Sequence, residues 1–262
     1  MAEKHLVQLP HAGHDLRMSG AFFVEPADID GNRLVLVDEE AHHVRVRRCR
    51  EGDLLDVIDG VGCAYRVRVG SMAPKRVEAE IVERRPEWGE SPVRLHLAAA
   101  VPKGSRFDLV VEKGTEVGVT STLPLLTERG VARPDREGQR VGRWHRLARS
   151  AAKQCGRSRV PQIDAPVELS AAAAELAQRC GRLLVAGPQE DMALADALQG
   201  SDGPVALFIG PEGGFAPTER TALTERGARH FTWGERTLRA ETAAVVLSAL
   251  VLDTATRSTV YK

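Results

Sequence analysis

Two loops near the end of the chain restrict its possible folds more than any other sequence feature. One follows a short apolar segment at 205–209 and reads Gly210-Pro211-Glu212-Gly213-Gly214; the other, at 233–239, follows a second short segment at 229–232 and opens a long apolar helix. Short apolar segments bounded by turn residues are typical of buried strands. Because α/β proteins bind ligands at loops beyond the carboxyl ends of such strands, the pair predicts an α/β domain with a binding site there.

Alternating strands and helices extend this prediction back to residue 93. We expect strands over 93–99, 122–126, 183–186, 205–209 and 229–232, and helices over 106–117, 170–180, 218–226 and 240–254. Ser170 is the predicted N-cap of the helix that it begins. Strand–helix alternation favours a mostly parallel sheet with helices on both faces.

The first ninety residues follow a different pattern. Apolar and polar residues alternate over 62–69 and 76–82, which is typical of half-buried strands, and further strands are expected over 21–24, 33–37 and 54–58. These strands, with one short helix near 42–48, predict a small β-barrel. Two prolines and a glycine within 85–92 predict a linker. The predicted organisation is an N-terminal extension over 1–19, a barrel over 20–88 and an α/β domain over 92–262.

Composition excludes several classes of protein. The formal net charge is zero, so the overall charge does not favour binding to a nucleic acid or a membrane. No stretch approaches the eighteen uncharged apolar residues that a membrane span requires. The N-terminus lacks the apolar region of a secretory signal. The four cysteines are widely separated, which favours a reduced, cytoplasmic protein without a disulfide framework or a zinc site. His42-His43 lacks a third ligand at helical spacing, so no metal is expected.

The residues after the glycine loop restrict its ligand. A phosphate-binding loop of the Walker type places Lys and then Ser or Thr after its last glycine, whereas Phe215-Ala216 stands here. The dinucleotide-binding pattern G-x-G-x-x-G is also absent. A nucleoside triphosphate and a dinucleotide are therefore disfavoured, and a tight turn without any ligand remains an alternative for this loop taken alone.

The second loop carries an arginine in an unfavourable position. Arg239 lies at the N-terminus of the apolar helix, where the helix dipole disfavours a cation unless an anion lies nearby. This position favours a functional role for Arg239. Glu241 and Thr242 fall in the first turn of the same helix, where ordinary capping also explains them.

A third feature is a strongly basic helix. Between Arg129 and Arg159 there are ten Lys or Arg residues and two acidic ones, and the cations recur every three or four residues beside an apolar stripe. Like charges at this spacing repel one another, so contact with a polyanion is favoured over a merely solvated surface. Arg45, Arg47, Arg48 and Arg50 form a second, weaker cluster, since Glu39, Glu40 and Glu51 are close by in the sequence.

Several motifs in order resemble one family. Residues 208–215 and 238–243 resemble two signatures of the SPOUT RNA methyltransferases, and specifically of the RsmE family, the 16S ribosomal RNA uridine-N3 methyltransferases. The stretches 113–119, 128–129 and 154–161 fit the same family, and 42–48 with Gly52-Asp53 fits its N-terminal domain. The resemblance covers roughly residues 20–255.

The resemblance implies a fold and a reaction that spacing alone does not. The fold would be a PUA-like β-barrel followed by a SPOUT α/β domain with a C-terminal trefoil knot. S-adenosylmethionine would be the cofactor, and the protein would be a homodimer whose partners complete each other's sites. The substrate would be small-subunit ribosomal RNA, free or within an assembled small ribosomal subunit, and the product N3-methyluridine.

The resemblance also implies roles for individual residues. Arg239 would stabilise the charge of the uridinate, and Glu241 or a water would accept its proton. Cofactor-binding residues are predicted in three loops: Leu184, Ala186, Gly187, Ile209, Gly210, Pro211, Glu212, Gly213, Gly214, Trp233, Gly234, Leu238, Thr242 and Ala243. RNA contacts are predicted at Arg45, Arg47, Arg48, Arg129, Arg140, Arg143, Lys153 and Arg157.

Two other functions remain open at this point. One is a SPOUT methyltransferase that acts on another ribosomal or transfer RNA base, which mapping of the modified nucleoside would distinguish. The other is a non-catalytic RNA-binding protein of ribosome assembly, which absence of cofactor binding would support.

Overall fold

The computed structural model of the chain describes residues 20–130, 139–188, 190–200 and 203–260. The predicted N-terminal extension and two cations of the basic segment, Arg133 and Arg136, lie outside these ranges. Two sheets organise the chain, one formed before residue 87 and the other after residue 94.

The first sheet has six strands in the order β1-β4-β5-β6-β3-β2. They are β1 (Phe22–Phe23), β2 (Ile29–Asp30), β3 (Arg33–Val37), β4 (Leu54–Ile58), β5 (Cys63–Ala73) and β6 (Arg76–Pro86), and helix α1 (Asp38–Val46) follows β3. The long β5–β6 hairpin contains two register shifts, which are irregularities of the kind that bend a sheet. Strand β6 continues to Pro86, so it extends into the predicted linker.

Alternation along these strands creates the first core. Leu34 and Leu36 of β3, Val67 of β5 and Val77 of β6 are fully buried, while their charged neighbours face outward. Helix α1 closes one side of this core with Ala41 and Val44. The alternation of apolar and polar residues in the sequence therefore matches the alternation of buried and exposed side chains in these strands.

The second sheet is parallel throughout and has seven strands, in the order β10-β8-β7-β12-β11-β13 with β9 beside β8. They are β7 (Leu95–Ala100), β8 (Ser121–Leu126), β9 (Gln162–Ile163), β10 (Val167–Glu168), β11 (Arg182–Gly187), β12 (Val205–Ile209) and β13 (Arg229–Thr232). The helices are α2 (Arg106–Val117), α3 (Gln139–Cys155), α4 (Leu169–Arg179), α5 (Leu194–Leu198), α6 (Pro217–Glu225) and α7 (Ala240–Val260).

Helices cover both faces of this sheet. Leu207 of β12 packs in one cluster with residues of α2, α3, α5 and α7, while Phe208, the next residue, packs in another with residues of α4 and α6. Each central strand is thus buried on both sides, which explains its continuous apolar sequence. After β13 at the sheet edge, residues 233–239 return past β11 and β12, and α7 packs against β7 and α2.

Local structure differs from the predictions at a few places. Helix α4 begins at Leu169, and Glu168 is its N-cap residue without a side-chain cap bond, so the prediction that Ser170 caps this helix is wrong. The sequence analysis did not predict β2, β9, β10 or α5, which have two to five residues each and are too short to show a period. Among the described residues, no helix is long and apolar enough to cross a bilayer.

A buried ion pair joins the linker between the two sheets to the segment after α3. Arg157 donates from Nη2 to Oε2 of Glu90 at 2.7 Å, and its Nη1 donates to the carbonyls of Thr115 and Val119 at 2.7 and 3.0 Å. The side chains of Arg157 and Glu90 are 4% and 7% exposed. The backbone N–H of Arg159 also donates to Glu90, at 2.9 Å. The linker, the end of α2 and the segment after α3 therefore meet at one guanidinium–carboxylate pair.

Next to this pair, the chain forms backbone bonds across the boundary. Val160 N–H donates to the Gly60 carbonyl at 2.9 Å, and Gly62 N–H donates to the Ser158 carbonyl at 3.2 Å. Ser158 N–H in turn donates to the carbonyl of Trp88 at 2.9 Å. Residues 157–160 thus connect a turn of the first sheet with the second sheet.

We predict that Glu90→Gln lowers the free energy of unfolding by about 3–5 kcal/mol, because it leaves the buried Arg157 guanidinium without a counter-charge. Urea denaturation measures this change. The matched control is Glu175→Gln, whose pair with Arg179 is half exposed and should cost no more than about 1 kcal/mol. Equal effects of the two substitutions would contradict the role assigned to Glu90.

Candidate functional site

Three neighbouring strands end together at one edge of the parallel sheet. Strand β11 pairs with β12 on one side and with β13 on the other. Because all three run in the same direction, the loops after Gly187, Ile209 and Thr232 meet at their carboxyl ends. The loops and the first turns of α7 enclose a pocket of about 370 Å³.

Most of the predicted cofactor-binding residues lie around this pocket. Those that line it are Ala186, Gly187, Ile209, Gly210, Pro211, Glu212, Gly213, Gly214, Trp233, Leu238 and Ala243. The remaining three do not: Leu184 is fully buried in the core, and Gly234 and Thr242 are not part of the lining. Leu184 lies three residues before the end of β11, so its side chain packs between sheet and helix instead of reaching the loops.

The structure adds lining residues that the sequence analysis missed. They are Pro188, Phe215, Arg220, Arg236, Thr237, Ala240 and Leu247. Leu247 lies four residues after Ala243, on the same face of α7, so helical spacing could have predicted its place in the lining. Arg220 belongs to α6 and lines the pocket because of the way that helix packs, which the sequence does not show.

The glycine loop is tightly folded. Gly214 N–H donates to the Pro211 carbonyl at 2.8 Å, and Gly214 has a φ of +66°, a conformation that favours glycine. A Cβ on Gly210 would lie 3.2 Å from the backbone nitrogen of Phe215. Backbone packs against backbone here, so a side chain at position 210 would displace the loop.

The polar side chains that line the pocket are those of Glu212, Arg220, Arg236 and Thr237, together with the indole of Trp233. The indole N–H of Trp233 is buried and has no hydrogen-bond partner among the described residues. Arg220 donates to Oε1 of Glu190 at 2.7 Å, and Nδ1 of His230 lies 3.9 Å from the same oxygen. Burial, and secondly Arg220, lower the pKa of His230. A ligand here would meet apolar and backbone groups, the guanidinium groups of Arg220 and Arg236, and the hydroxyl of Thr237.

The two predicted catalytic residues lie in different environments. Arg239 is exposed and precedes α7, and its carbonyl accepts the first hydrogen bond of that helix. Glu241 is only 7% exposed, and its Oε1 lies 3.9 Å from Nε of Arg106. Arg106 also approaches Glu212 of the glycine loop, at 3.3 Å. Neither Arg239 nor Glu241 lines the pocket. Glu241 lies close to Arg106, the first residue of α2.

The cations of α3 contact acidic residues of the same chain. Arg143 donates to Asp108 at 2.6 Å, Arg149 donates to Glu25 at 2.9 Å, and Lys153 pairs with Glu40. Arg149 also lies over the ring of Phe23, 3.6 Å from its centroid. Much of the charge for which the sequence predicted a polyanion is therefore neutralised within the protein.

This arrangement corrects two of the predicted RNA contacts. Arg157 is 3% exposed and uses its donors on Glu90, Thr115 and Val119, so it does not reach an RNA surface. Lys153 is mostly buried against Glu40, and its backbone carbonyl accepts from Ala21 N–H at 2.8 Å. Lys153 holds α3 against the first domain, and Arg157 holds the linker against the end of α2. The prediction was wrong for both because their acidic partners lie far away in the sequence.

The other predicted cations are more accessible. Arg45, Arg47 and Arg48 are exposed at the end of α1, where Arg45 donates to the Pro74 carbonyl at 3.2 Å and Arg47 lies over the ring of Phe22. Arg129 is exposed next to the glycine loop. Arg140 is half-buried at the start of α3. Within the described ranges, no three His, Cys, Asp or Glu side chains are placed to hold a metal ion.

Family models match both parts of the chain. An RNA methyltransferase domain matches residues 89–252, and an RNA methyltransferase PUA domain matches residues 36–82. The ranges correspond to the parallel sheet with its helices and to most of the first sheet.

Individual relatives match over most of their length. The ribosomal RNA small subunit methyltransferase E of Synechocystis is 32% identical over 89% of this chain and 77% of the relative. The protein of the same name from Mycobacterium bovis is 35% identical over 80% of this chain and 81% of the relative. A crystal structure of the Neisseria gonorrhoeae enzyme bound to S-adenosyl methionine is 28% identical, covers 90% of this chain and 97% of that one, and superposes with a TM-score of 0.80.

These matches confirm the predicted fold class. A PUA-like β domain precedes a parallel α/β domain of the SPOUT type, as in the Neisseria structure. From the sheet edge at β13, residues 233–239 lead back to α7, which packs against β7 and α2.

We predict opposite effects of alanine at two glycines. Gly210→Ala should lower the free energy of unfolding by about 1–3 kcal/mol, because its Cβ meets backbone atoms that have no room to move. Gly142→Ala, inside α3 and near only a flexible arginine tip, should raise it by about 0.5–1 kcal/mol. Urea denaturation measures both, and a tolerated Gly210→Ala would contradict the tight loop.

Proposed function

The chain belongs to the ribosomal RNA small subunit methyltransferase E family, and we propose that it transfers a methyl group from S-adenosylmethionine to N3 of one uridine in small-subunit ribosomal RNA. The observation that carries the proposal is the pocket at the carboxyl ends of β11, β12 and β13. The matching Neisseria structure was solved with S-adenosyl methionine.

The residues around the pocket suit this cofactor. The loops offer backbone N–H and carbonyl groups without interfering side chains at Gly187, Gly210, Gly213 and Gly214, and the buried N–H of Trp233 lacks a partner among the described residues. Ile209, Leu238 and Leu247 provide apolar walls for a nucleoside. The absence of a Lys-Ser/Thr pair after the glycines agrees with a ligand that has no triphosphate.

The reaction requires that a proton leaves uracil N3 and that the protein stabilises the negative charge that develops on the base. When bound, S-adenosylmethionine supplies an electrophilic methyl group on a sulfonium. Uracil N3 carries a proton, which must leave before or during attack, and negative charge then develops on the uracil oxygens. We assign Arg239 to that charge, since an exposed guanidinium before α7 can approach a base delivered from outside.

Glu241 has a supporting role in this proposal. Its carboxylate is buried beside Arg106 and faces away from the pocket, so a water is the better candidate to accept the N3 proton. Arg106 contacts Glu241 of α7 and Glu212 of the glycine loop. Glu241 therefore helps to hold the start of α7, and with it Arg239, relative to that loop.

RNA contacts are proposed for the cations that remain accessible. Arg45, Arg47 and Arg48 on the PUA-like domain, with Arg140 on the methyltransferase domain, would contact the phosphates around the target. Arg143, bonded to Asp108, would contribute less. Because N3 lies on the Watson–Crick edge, the target base must be unpaired or flipped out of a helix.

We further propose a homodimer in the cytoplasm. Helix α7 is apolar along most of its length, and Val245, Val246, Ala249 and Leu250 are only half-buried within one copy. A second copy that packed against this stripe would remove apolar surface from water. An assembled small subunit is the preferred substrate in this proposal, because the exposed cations lie on both domains.

We predict that Arg239→Ala lowers kcat by about 100-fold or more while the affinity for S-adenosylmethionine stays nearly unchanged, since the guanidinium acts on the developing charge of the base. Methyl transfer to small subunits and calorimetry measure the two quantities. Arg257→Ala, an exposed cation later in α7, is the control and should alter neither. Loss of cofactor binding in Arg239→Ala would refute the assigned role.

We predict that replacing Arg45 and Arg48 together by alanine flattens the salt dependence of RNA binding. The slope of log K against log salt concentration should fall by about 0.7–0.9 for each phosphate that the protein no longer neutralises. Arg179→Ala, whose charge pairs within α4, should leave the slope as it is. A slope that is equal in all three proteins would place the RNA elsewhere.

A further inference from the structure

A short segment after β8 contacts the glycine loop and the helix that follows it. This segment, Thr127–Gly130, lies beside the pocket but is not part of its lining. Glu128 N–H donates to Oε1 of Glu219 at 2.8 Å, and Thr218 Oγ1 donates to Oε2 of Glu128 at 3.2 Å. Two hydrogen bonds therefore join the segment to the first turn of α6.

Glu219 also bonds the residue that precedes α6, two positions after the glycine loop. Its Oε2 accepts the backbone N–H of Ala216 at 2.8 Å, while its Oε1 accepts the N–H of Glu128. One carboxylate thus satisfies two backbone donors, one from each segment. A carboxylate at this position in the first turn of α6 is also favoured by the helix dipole.

Arg129 makes the most direct contact with the loop. Its Nη1 donates to the carbonyl of Gly213 at 2.9 Å. Its Cδ and Cβ lie 3.7 and 3.8 Å from the position that a Cβ of Gly213 would occupy, so the aliphatic part of the side chain covers this residue. Gly213 itself lines the pocket.

This support adds to the hydrogen bond within the loop, in which Gly214 N–H donates to the Pro211 carbonyl. Gly213 and Gly214 lack side chains that could pack, and glycine loses more conformational freedom on ordering than any other residue. A bond to the Gly213 carbonyl from outside the loop fixes the orientation of the peptide between the two glycines. The cost of ordering the loop would otherwise fall on ligand binding.

We propose that Arg129 is a positioning residue, which holds the Gly213–Gly214 peptide in the conformation that binds the cofactor, instead of an RNA contact as the sequence suggested. The inference rests on the proposed function, because it takes the ligand of the pocket to be S-adenosylmethionine. Arg129 acts through the Gly213 carbonyl and does not touch the ligand.

The test is calorimetric titration of S-adenosylmethionine into Arg129→Ala, Arg129→Lys and the control Arg179→Ala, without RNA. Losing one hydrogen bond from a charged donor should raise the Kd of Arg129→Ala by about 3- to 10-fold. Arg129→Lys, which keeps a cationic donor, should recover part of the affinity. Arg129 is exposed, so the variants should keep the melting temperature of the wild type.

Steady-state kinetics separates positioning from RNA contact. In Arg129→Ala the KM for S-adenosylmethionine should rise, while the KM for the ribosomal substrate and kcat at saturating cofactor stay unchanged. Wild-type affinity for the cofactor combined with a raised KM for RNA would overturn the inference and restore Arg129 as an RNA contact. Failure of the wild-type protein to bind S-adenosylmethionine would instead refute the proposed function.

Discussion

The packing of the linker between the two domains depends on the buried pair of Arg157 and Glu90. A guanidinium that is removed from water requires an equally buried counter-charge, and Glu90 supplies it from the linker while two carbonyls near the end of α2 accept further N–H bonds. The same carboxylate also accepts the N–H of Arg159. Because these donors and acceptors satisfy one another, the pair fixes one arrangement of the linker, α2 and the segment after α3. The same segment bonds through Ser158 and Val160 to the turn at Gly60 and Gly62 of the first domain.

The basic helix α3 shows why charge patterns along a sequence are difficult to interpret. Within its own stretch the cations have almost no acidic neighbours, and this led to a predicted RNA surface. In the fold, Glu25 and Glu40 of the first domain and Asp108 of α2 come to the helix from 35 to 124 positions away. The spacing of charges within one helix cannot predict partners that are so distant in the sequence. The accessible cations that remain are fewer and are spread over both domains, which suits a large, folded RNA better than a short strand.

The sequence predicted the fold well where a period or a long apolar run existed. The bounds of α2, β12 and β13 were predicted to the residue, because Gly118, Gly210 and the turn before Arg229 interrupt clear patterns. The short elements β2, β9, β10 and α5 were missed, since they are stabilised by their neighbours and not by their own composition. In the site, the glycines predicted the loops. The places of Arg220 and Arg106, and the contact between Arg129 and Gly213, depend on tertiary packing, which the sequence does not show.

Every role proposed for the pocket and its surrounding cations depends on methylation of uridine N3 in the small ribosomal subunit. This activity is tested by transfer of labelled methyl from S-adenosylmethionine to small subunits that lack the modification, followed by nucleoside analysis of the RNA. We expect N3-methyluridine at a single position, and no label with subunits that already carry it. Label in a different nucleoside would contradict the assigned base, and no transfer to subunits or to free RNA would contradict the enzymatic function itself.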